Sequence, residues 1–164
     1  MARILTCYYR PKPGGFCKRL FRGIRALLAE GHVVHYLAVE TFPIKHPHCH
    51  FHRFPWPFGA PETLLFWAVF HLFAPLQLLW ICLRHRIQYA FAFGANYGFL
   101  LQPSRWRLNR PPAVFLRADT LENHAIKDRS AWLIATERGF ERMGLWRNRV
   151  WTVSRSLERV IVQR

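Results

Sequence analysis

Apolar residues along the first forty positions change period twice. Residues 2–9 (ARILTCYY) are a nearly continuous apolar run of strand length, closed by Pro11-Lys12-Pro13-Gly14-Gly15. From Phe16 to Glu30 the apolar positions are Phe16, Leu20, Ile24, Leu27 and Leu28, with Arg19, Arg22 and Arg25 between them. A repeat at helical spacing predicts an amphipathic helix with one face on a core. Gly31 stops it. Val33–Val39 (VVHYLAV) then reads as a second strand, apolar enough to be a parallel strand buried on both faces. The unit therefore places paired glycines where a parallel sheet meets a helix N-terminus. Backbone N–H groups and the positive end of the helix dipole favour an anionic, phosphate-bearing ligand there.

Further along, Thr41–Pro61 is rich in proline, histidine and aromatic residues and reads as loop, with a short strand near His50–Phe54. Thr63–Leu83 is a strongly apolar helix and Ile87–Phe93 a strand, followed by Gly94-Ala95-Asn96-Tyr97-Gly98 and a short helix. Pro111-Pro112 marks a loop before a strand at Ala113–Arg117. A polar loop (Asp119–Arg129), a helix (Ser130–Met143, with Gly144 near its end) and a last strand (Val150–Val153) follow. Ser154 is placed as the N-cap of a final helix. Strand and helix alternate throughout. This predicts the α/β class, a Rossmann-like three-layer domain with a mostly parallel sheet and helices on both faces.

The run 63–83 is long enough, at roughly 30 Å, to cross a bilayer. Crossing would put Val33–Val39 and Ile87–Phe93 on opposite sides of the membrane, where they cannot share a sheet. His71 and Pro75 inside the run also argue against it. Trp and Phe residues beside Arg84, His85 and Arg86 suit a headgroup region instead. The expected location is cytoplasmic, peripheral at the inner face of the membrane.

A chain of 164 residues is one domain by length and long enough to bury a sizeable core. Its net charge of +15, with only nine acidic residues, favours anionic partners. The arginines are scattered rather than gathered in an arm, so nucleic acid is not the expected partner. A non-catalytic basic module for anionic lipid or nucleic acid is the alternative to an enzyme. Cys7, Cys17, Cys49 and Cys82 form no C-x-x-C pair and read as free thiols in a reducing compartment.

Several constellations carry candidate chemistry. His46, His48, His50 and His52 alternate, so on one strand all four would share a face. With Cys49 they form a metal-ligand pattern. Pro47 disturbs strand geometry, however, no acidic residue lies near, and zinc ligands usually come from separate segments. No metal is assigned. Gly14-Gly15 with Glu40 suggests a dinucleotide site, but the fingerprint G-x-G-x-x-G is absent, so no cofactor is expected. Loops after parallel strands are where such folds place chemistry. That singles out Asp119, Glu122 and His124 after one strand, and Asn96 and Tyr97 after another. Arg117 and Arg155 lie near the same edge, where they would neutralise phosphate.

The opening R-I-L-T-C-Y-Y-R-P-K-P-G-G-F, the helix end L-A-E-G-H-V-V and the late R-V-W-T-V-S-R-S resemble the N-terminal domain of family 4 glycosyltransferases, which have the GT-B fold. The resemblance covers nearly the whole chain. It implies the N-terminal half of a retaining transferase that moves a sugar from a nucleotide-sugar donor to a glycan or lipid-linked acceptor, with no metal required. By resemblance, Gly14 and Gly15 bring backbone N–H groups to the donor phosphate and the transferred sugar, stabilising the departing diphosphate. The family often has His-Asp after the strand at 113–117. Here the sequence is Arg117-Ala118-Asp119, which keeps Asp119 as the catalytic candidate and lacks the histidine. Asn96, Tyr97, Arg117, Glu122, Ser154 and Arg155 complete the expected substrate- and donor-phosphate-binding set. The chain stops at Arg164, so the donor-binding C-terminal domain is expected to be absent. The domain is expected to be inactive alone unless a separate chain supplies that half.

Overall fold

A computed structural model describes residues 1–118, 131–146 and 148–152. Six strands form a single parallel sheet: β1 (Arg3–Cys7), β2 (Val33–Ala38), β3 (Cys49–Arg53), β4 (Tyr89–Phe93), β5 (Ala113–Ala118) and β6 (Arg149–Thr152). Their order across the sheet is β3-β2-β1-β4-β5-β6, and every neighbouring pair is parallel. The chain begins in the middle, builds outward through β2 and β3, then crosses back to β4. That reversal puts the topological switch point between β1 and β4, where open α/β sheets form their ligand crevice.

Each face of the sheet is covered because the central strands β1, β2 and β4 are largely apolar on both sides. On one face lies α1 (Gly15–Ala29), which buries Cys17, Leu20, Phe21, Ile24 and Leu28 against Val34, Tyr36 and Ala38. On the other face lies α2 (Leu64–His85), which buries Phe66, Phe70, Ala74, Leu78 and Ile81 against Leu5, Leu37, Ala90 and Ala92. Phe66, Phe70, Leu78 and Ile81 have no exposed surface. Each such burial stabilises the fold by roughly 1.5–3 kcal/mol. The short helices α3 (Ala95–Leu100) and α4 (Gln102–Arg107) join this second core, and α5 (Ala131–Leu145) packs on α3.

The predicted elements shift in ways with physical causes. The first strand leaves the ladder at Cys7. Tyr8 and Tyr9 still hydrogen-bond to the end of β2 and the residue after it, the Tyr8 N–H donating to the Leu37 carbonyl at 3.1 Å and the Val39 N–H to the Tyr9 carbonyl at 2.7 Å, but they belong to the mouth of the sheet. Helix α2 starts one residue later than expected because Thr63 is its cap, its hydroxyl accepting from the Phe66 N–H at 3.1 Å. It runs on to His85, where Arg86 in the left-handed conformation ends it. After β4 the loop is a single residue, Gly94, and Ala95 already begins α3. Gly144 marks a close crossing rather than a mere helix end. A Cβ there would run into the Ala95 carbonyl, and one at Gly98 would lie 2.7 Å from the Gly144 carbonyl. The loop at 119–129 and the helix after Ser154 lie outside the described residues.

Helix α2 is the one described helix long and apolar enough to cross a membrane. It is apolar all round: Leu72, Phe73, Leu76, Trp80 and Leu83 are exposed on the side away from the sheet. Its flanking strands β3 and β4 belong to one sheet, so its two ends stay on one side of any bilayer.

Candidate functional site

The switch point gathers the loops after β1 and β4 at the C-terminal edge of the sheet. The β1 loop runs Tyr8 to Gly14 and enters α1; the β4 loop is Gly94 and enters α3. These helices lie on opposite faces, the arrangement that in open α/β sheets sets the ligand position between the two loops.

Gly14 is the N-cap of α1, with φ 137° and ψ 171°, a conformation essentially restricted to glycine. No side chain caps the helix there, and its first turn holds no acidic residue. Among the described residues, a Cβ at Gly14 or Gly15 would meet no atom within 4 Å. The loop behind the pair is held by the Lys12 N–H, which donates to Cys17 Sγ at 3.3 Å. Cys17 is buried and thus clasps the loop.

Beside the glycine loop stands a residue that the sequence reading did not single out. Glu62, at φ 104°, accepts from Tyr9 Oη at 2.7 Å and pairs with Arg10 at 2.8 Å and Lys12 at 2.6 Å. The Lys12 and Tyr9 hydrogen bonds hold its carboxyl down at about 2. Burial, reinforced by Glu62, pushes the Tyr9 phenol up, so it stays protonated and donates. One sequence signal could have found this residue: Glu62 is the only acid between Glu40 and Asp119. Among the described residues, Arg10 Nε and Trp56 Nε1 are buried donors without a hydrogen-bond partner.

The wall on the β4 side is aromatic. Tyr97 lies 5.3 Å from Tyr8 between ring centroids, Tyr8 lies 4.7 Å from Phe16, and Phe16 meets Phe93 edge-on at 5.2 Å. The Arg117 guanidinium sits over Phe93 at 5.9 Å, and its carbonyl accepts from the Gly94 N–H at 2.9 Å. Of the expected site residues, Gly14, Gly15, Tyr97 and Arg117 therefore share one edge. Asn96 belongs to α3 at that edge. Asp119, Glu122, Ser154 and Arg155, with His124, lie outside the described residues. A groove of ≈ 1040 Å³ also opens beside the loop, lined by Pro11, Arg25, Leu28, Phe42 and Ile44 among others.

The alternating histidines do not act as one face. Only His50 and His52 lie on β3; His46 and His48 precede it in the loop. Glu40 is exposed beyond the end of β2.

No family model matches the chain, and no curated protein matches it in sequence. In three dimensions it is similar to a sucrose-phosphate synthase from Thermosynechococcus elongatus, with a TM-score of 0.77 over 99% of this chain at 16% identity. The fold is glycosyltransferase-like. The chain spans 45% of the length of that synthase. The edge carrying Gly14, Arg10, Lys12 and Tyr97 is the C-terminal edge of the sheet, where open parallel α/β sheets place their ligands.

Proposed function

We propose that this chain is the acceptor-side domain of a nucleotide-sugar-dependent retaining glycosyltransferase of the family 4 type. It acts on a glycan or lipid-linked acceptor together with a second Rossmann-like domain that holds most of the donor. The carrying observation is the open Gly14–Gly15 entry to α1, flanked by Arg10 and Lys12, at the switch point of a glycosyltransferase-like fold. Among the described residues none comes within 4 Å of where a Cβ at either glycine would stand, which leaves room for a donor diphosphate to approach the backbone N–H groups closely. Charge developing on the departing diphosphate would be stabilised there by preorganised donors and by the adjacent cations. Asp119, next in sequence after β5, is the catalytic candidate of this reading.

The chain would meet the membrane through α2. Its outer face shows Leu72, Phe73, Leu76 and Trp80, with Arg84 and Arg86 at its end. Apolar side chains beside cations, in a chain of charge +15, suit an anionic lipid surface. The domain would then work at the cytoplasmic side on acceptors displayed there.

The test is an assay of nucleotide-sugar hydrolysis and transfer with the second domain supplied, either in one polypeptide or by co-expression. Turnover that is lost in the Asp119→Asn variant supports the reading. No turnover from a properly assembled pair across a panel of nucleotide sugars would overturn it.

A further inference from the structure

Four histidines gather well away from the glycine loop, on the α2 side of the sheet. His35 lies in β2 and is 4% exposed. The parallel register sets His35 beside His50 and Leu37 beside His52. Because parallel neighbours in register share a face, His35, His50 and His52 project to the same side. His85, the last residue of α2, closes over them from that side. Ring centroids lie 4.4 Å apart for His35–His85, 5.1 Å for His52–His85, 5.3 Å for His35–His52 and 4.9 Å for His35–His50. One ring nitrogen from each of His35, His52 and His85 falls within a 4.8 Å spread.

From this geometry we infer a metal site in which His35, His52 and His85 bind one late first-row divalent ion, zinc being the representative. His50 stands at its rim. The three ligands come from three separate elements, β2, β3 and the end of α2, as zinc ligands commonly do. The closest pair, His35 Nδ1 and His52 Nε2, stands 3.0 Å apart. Two nitrogens on a tetrahedral zinc, each at about 2.0–2.1 Å, are about 3.4 Å apart. The pair needs to open only slightly to admit the ion. At present one imidazole N–H donates to the other's bare nitrogen. With an ion between them, a tautomer shift turns both lone pairs inward and moves the proton to the outer nitrogen.

The donors suit this class of metal. Burial, with smaller contributions from neighbouring histidines and from Arg3 for His35, pushes His35 down to about 3 and His52 to about 4. Burial and then Arg84, with His50 and Arg3, lower His85. Burial thus holds each ring toward the neutral imidazole, the form that ligates. No carboxylate joins them among the described residues, which disfavours magnesium and calcium. Arg3, whose guanidinium donates to the His85 carbonyl at 3.1 Å, and Arg84 both repel an added cation. Only a metal with strong affinity for imidazole overcomes them.

The experiment uses the full chain, stripped with a chelator and dialysed, titrated calorimetrically with Zn²⁺, Ni²⁺, Cu²⁺ and Mg²⁺. Expected are one equivalent of zinc, no magnesium binding, and a melting temperature that rises with zinc as ligand linkage requires. His52→Gln and His85→Gln should each weaken zinc binding at least tenfold. The His46→Gln/His48→Gln pair, which changes only the exposed loop histidines, should leave it unchanged. If removing His35 prevents folding, the His52 and His85 variants still decide the matter. No zinc binding at 100-fold excess, or binding retained in the His52→Gln/His85→Gln double variant, would overturn the site.

Discussion

Gly14 and Gly15 are neighbours in sequence, but they should respond to alanine in opposite directions. At Gly14 the backbone holds φ 137° and ψ 171°, so Gly14→Ala is strained whatever the surrounding space. A residue forced into that region costs about 1–3 kcal/mol. For a chain of 164 residues, each kcal/mol moves Tm by about 2–4 °C, so the expected loss is about 2–12 °C. Gly15 is the first residue of α1, and among the described residues a Cβ there meets nothing within 4 Å. Alanine in place of glycine within a helix stabilises by up to about 1 kcal/mol through the unfolded chain, so Gly15→Ala should leave Tm unchanged or raise it by a few degrees. The functional expectation runs the other way. If the open space over Gly15 is where a donor diphosphate lies, the added methyl should weaken nucleoside diphosphate binding at least tenfold in the assembled two-domain protein. Thermal unfolding of both variants and calorimetric titration with nucleoside diphosphates separate the two effects. A Gly15→Ala variant as unstable as Gly14→Ala would show that the second glycine serves the fold. A stable Gly15→Ala variant with full diphosphate affinity would refute the close-approach argument.

Other perturbations test the remaining parts. Gly144→Ala should cost about 1–3 kcal/mol or more, because its Cβ meets the Ala95 carbonyl and the Phe99 N–H at 2.9 Å; chemical unfolding measures it, and a neutral result would mean that α3 and α5 are not in this contact. Glu62→Gln should cost under about 1 kcal/mol at pH 7, since the Arg10 and Lys12 pairs are partly exposed. Because the folded carboxyl sits at about 2, below its ordinary 4.5, the Glu62 contribution is fully present above pH 4.5 and is lost as pH falls toward 2. The gap in urea midpoint between wild type and Glu62→Gln should therefore close over that window, and a gap constant down to pH 2 would contradict the assignment. Trp80→Glu, at a position 55% exposed, should leave Tm within a degree or two yet reduce sedimentation with anionic vesicles; unchanged sedimentation would remove α2 from the membrane contact.

The parts of this fold that were legible in sequence are those set by short-range periodicity. The stripe through Leu20, Ile24 and Leu28 and the unbroken VVHYLA strand each need only their own neighbours to be read. The glycine loop was legible because strand, turn and helix are consecutive. Glu62 was not, since its partners Tyr9, Arg10 and Lys12 lie some fifty residues upstream and only the topology brings α2's start to β1's end. Gly144 was read as a helix terminus because its real neighbour, Ala95, lies on another helix. The histidine cluster was not legible for a related reason. Alternation from His46 to His52 presumes one continuous strand, whereas β3 begins only at Cys49. The cluster that forms instead recruits His35 through strand register and His85 through the length of α2.

The arrangement at Glu62 explains how a strongly basic chain builds an ordered cationic mouth. Two cations side by side on the β1 loop repel each other and would splay into solvent. One carboxylate between them, fixed by the Tyr9 hydroxyl, holds both in place while cancelling only one of their two charges. The mouth keeps a net positive charge, and Arg10 Nε remains a buried donor without a partner among the described residues. A second carboxylate would cancel the remaining charge, and without Glu62 the two cations would lose the partner they share. With acids this scarce between Glu40 and Asp119, a single glutamate beside the open glycine loop is an arrangement suited to an anionic ligand bringing its own negative charge.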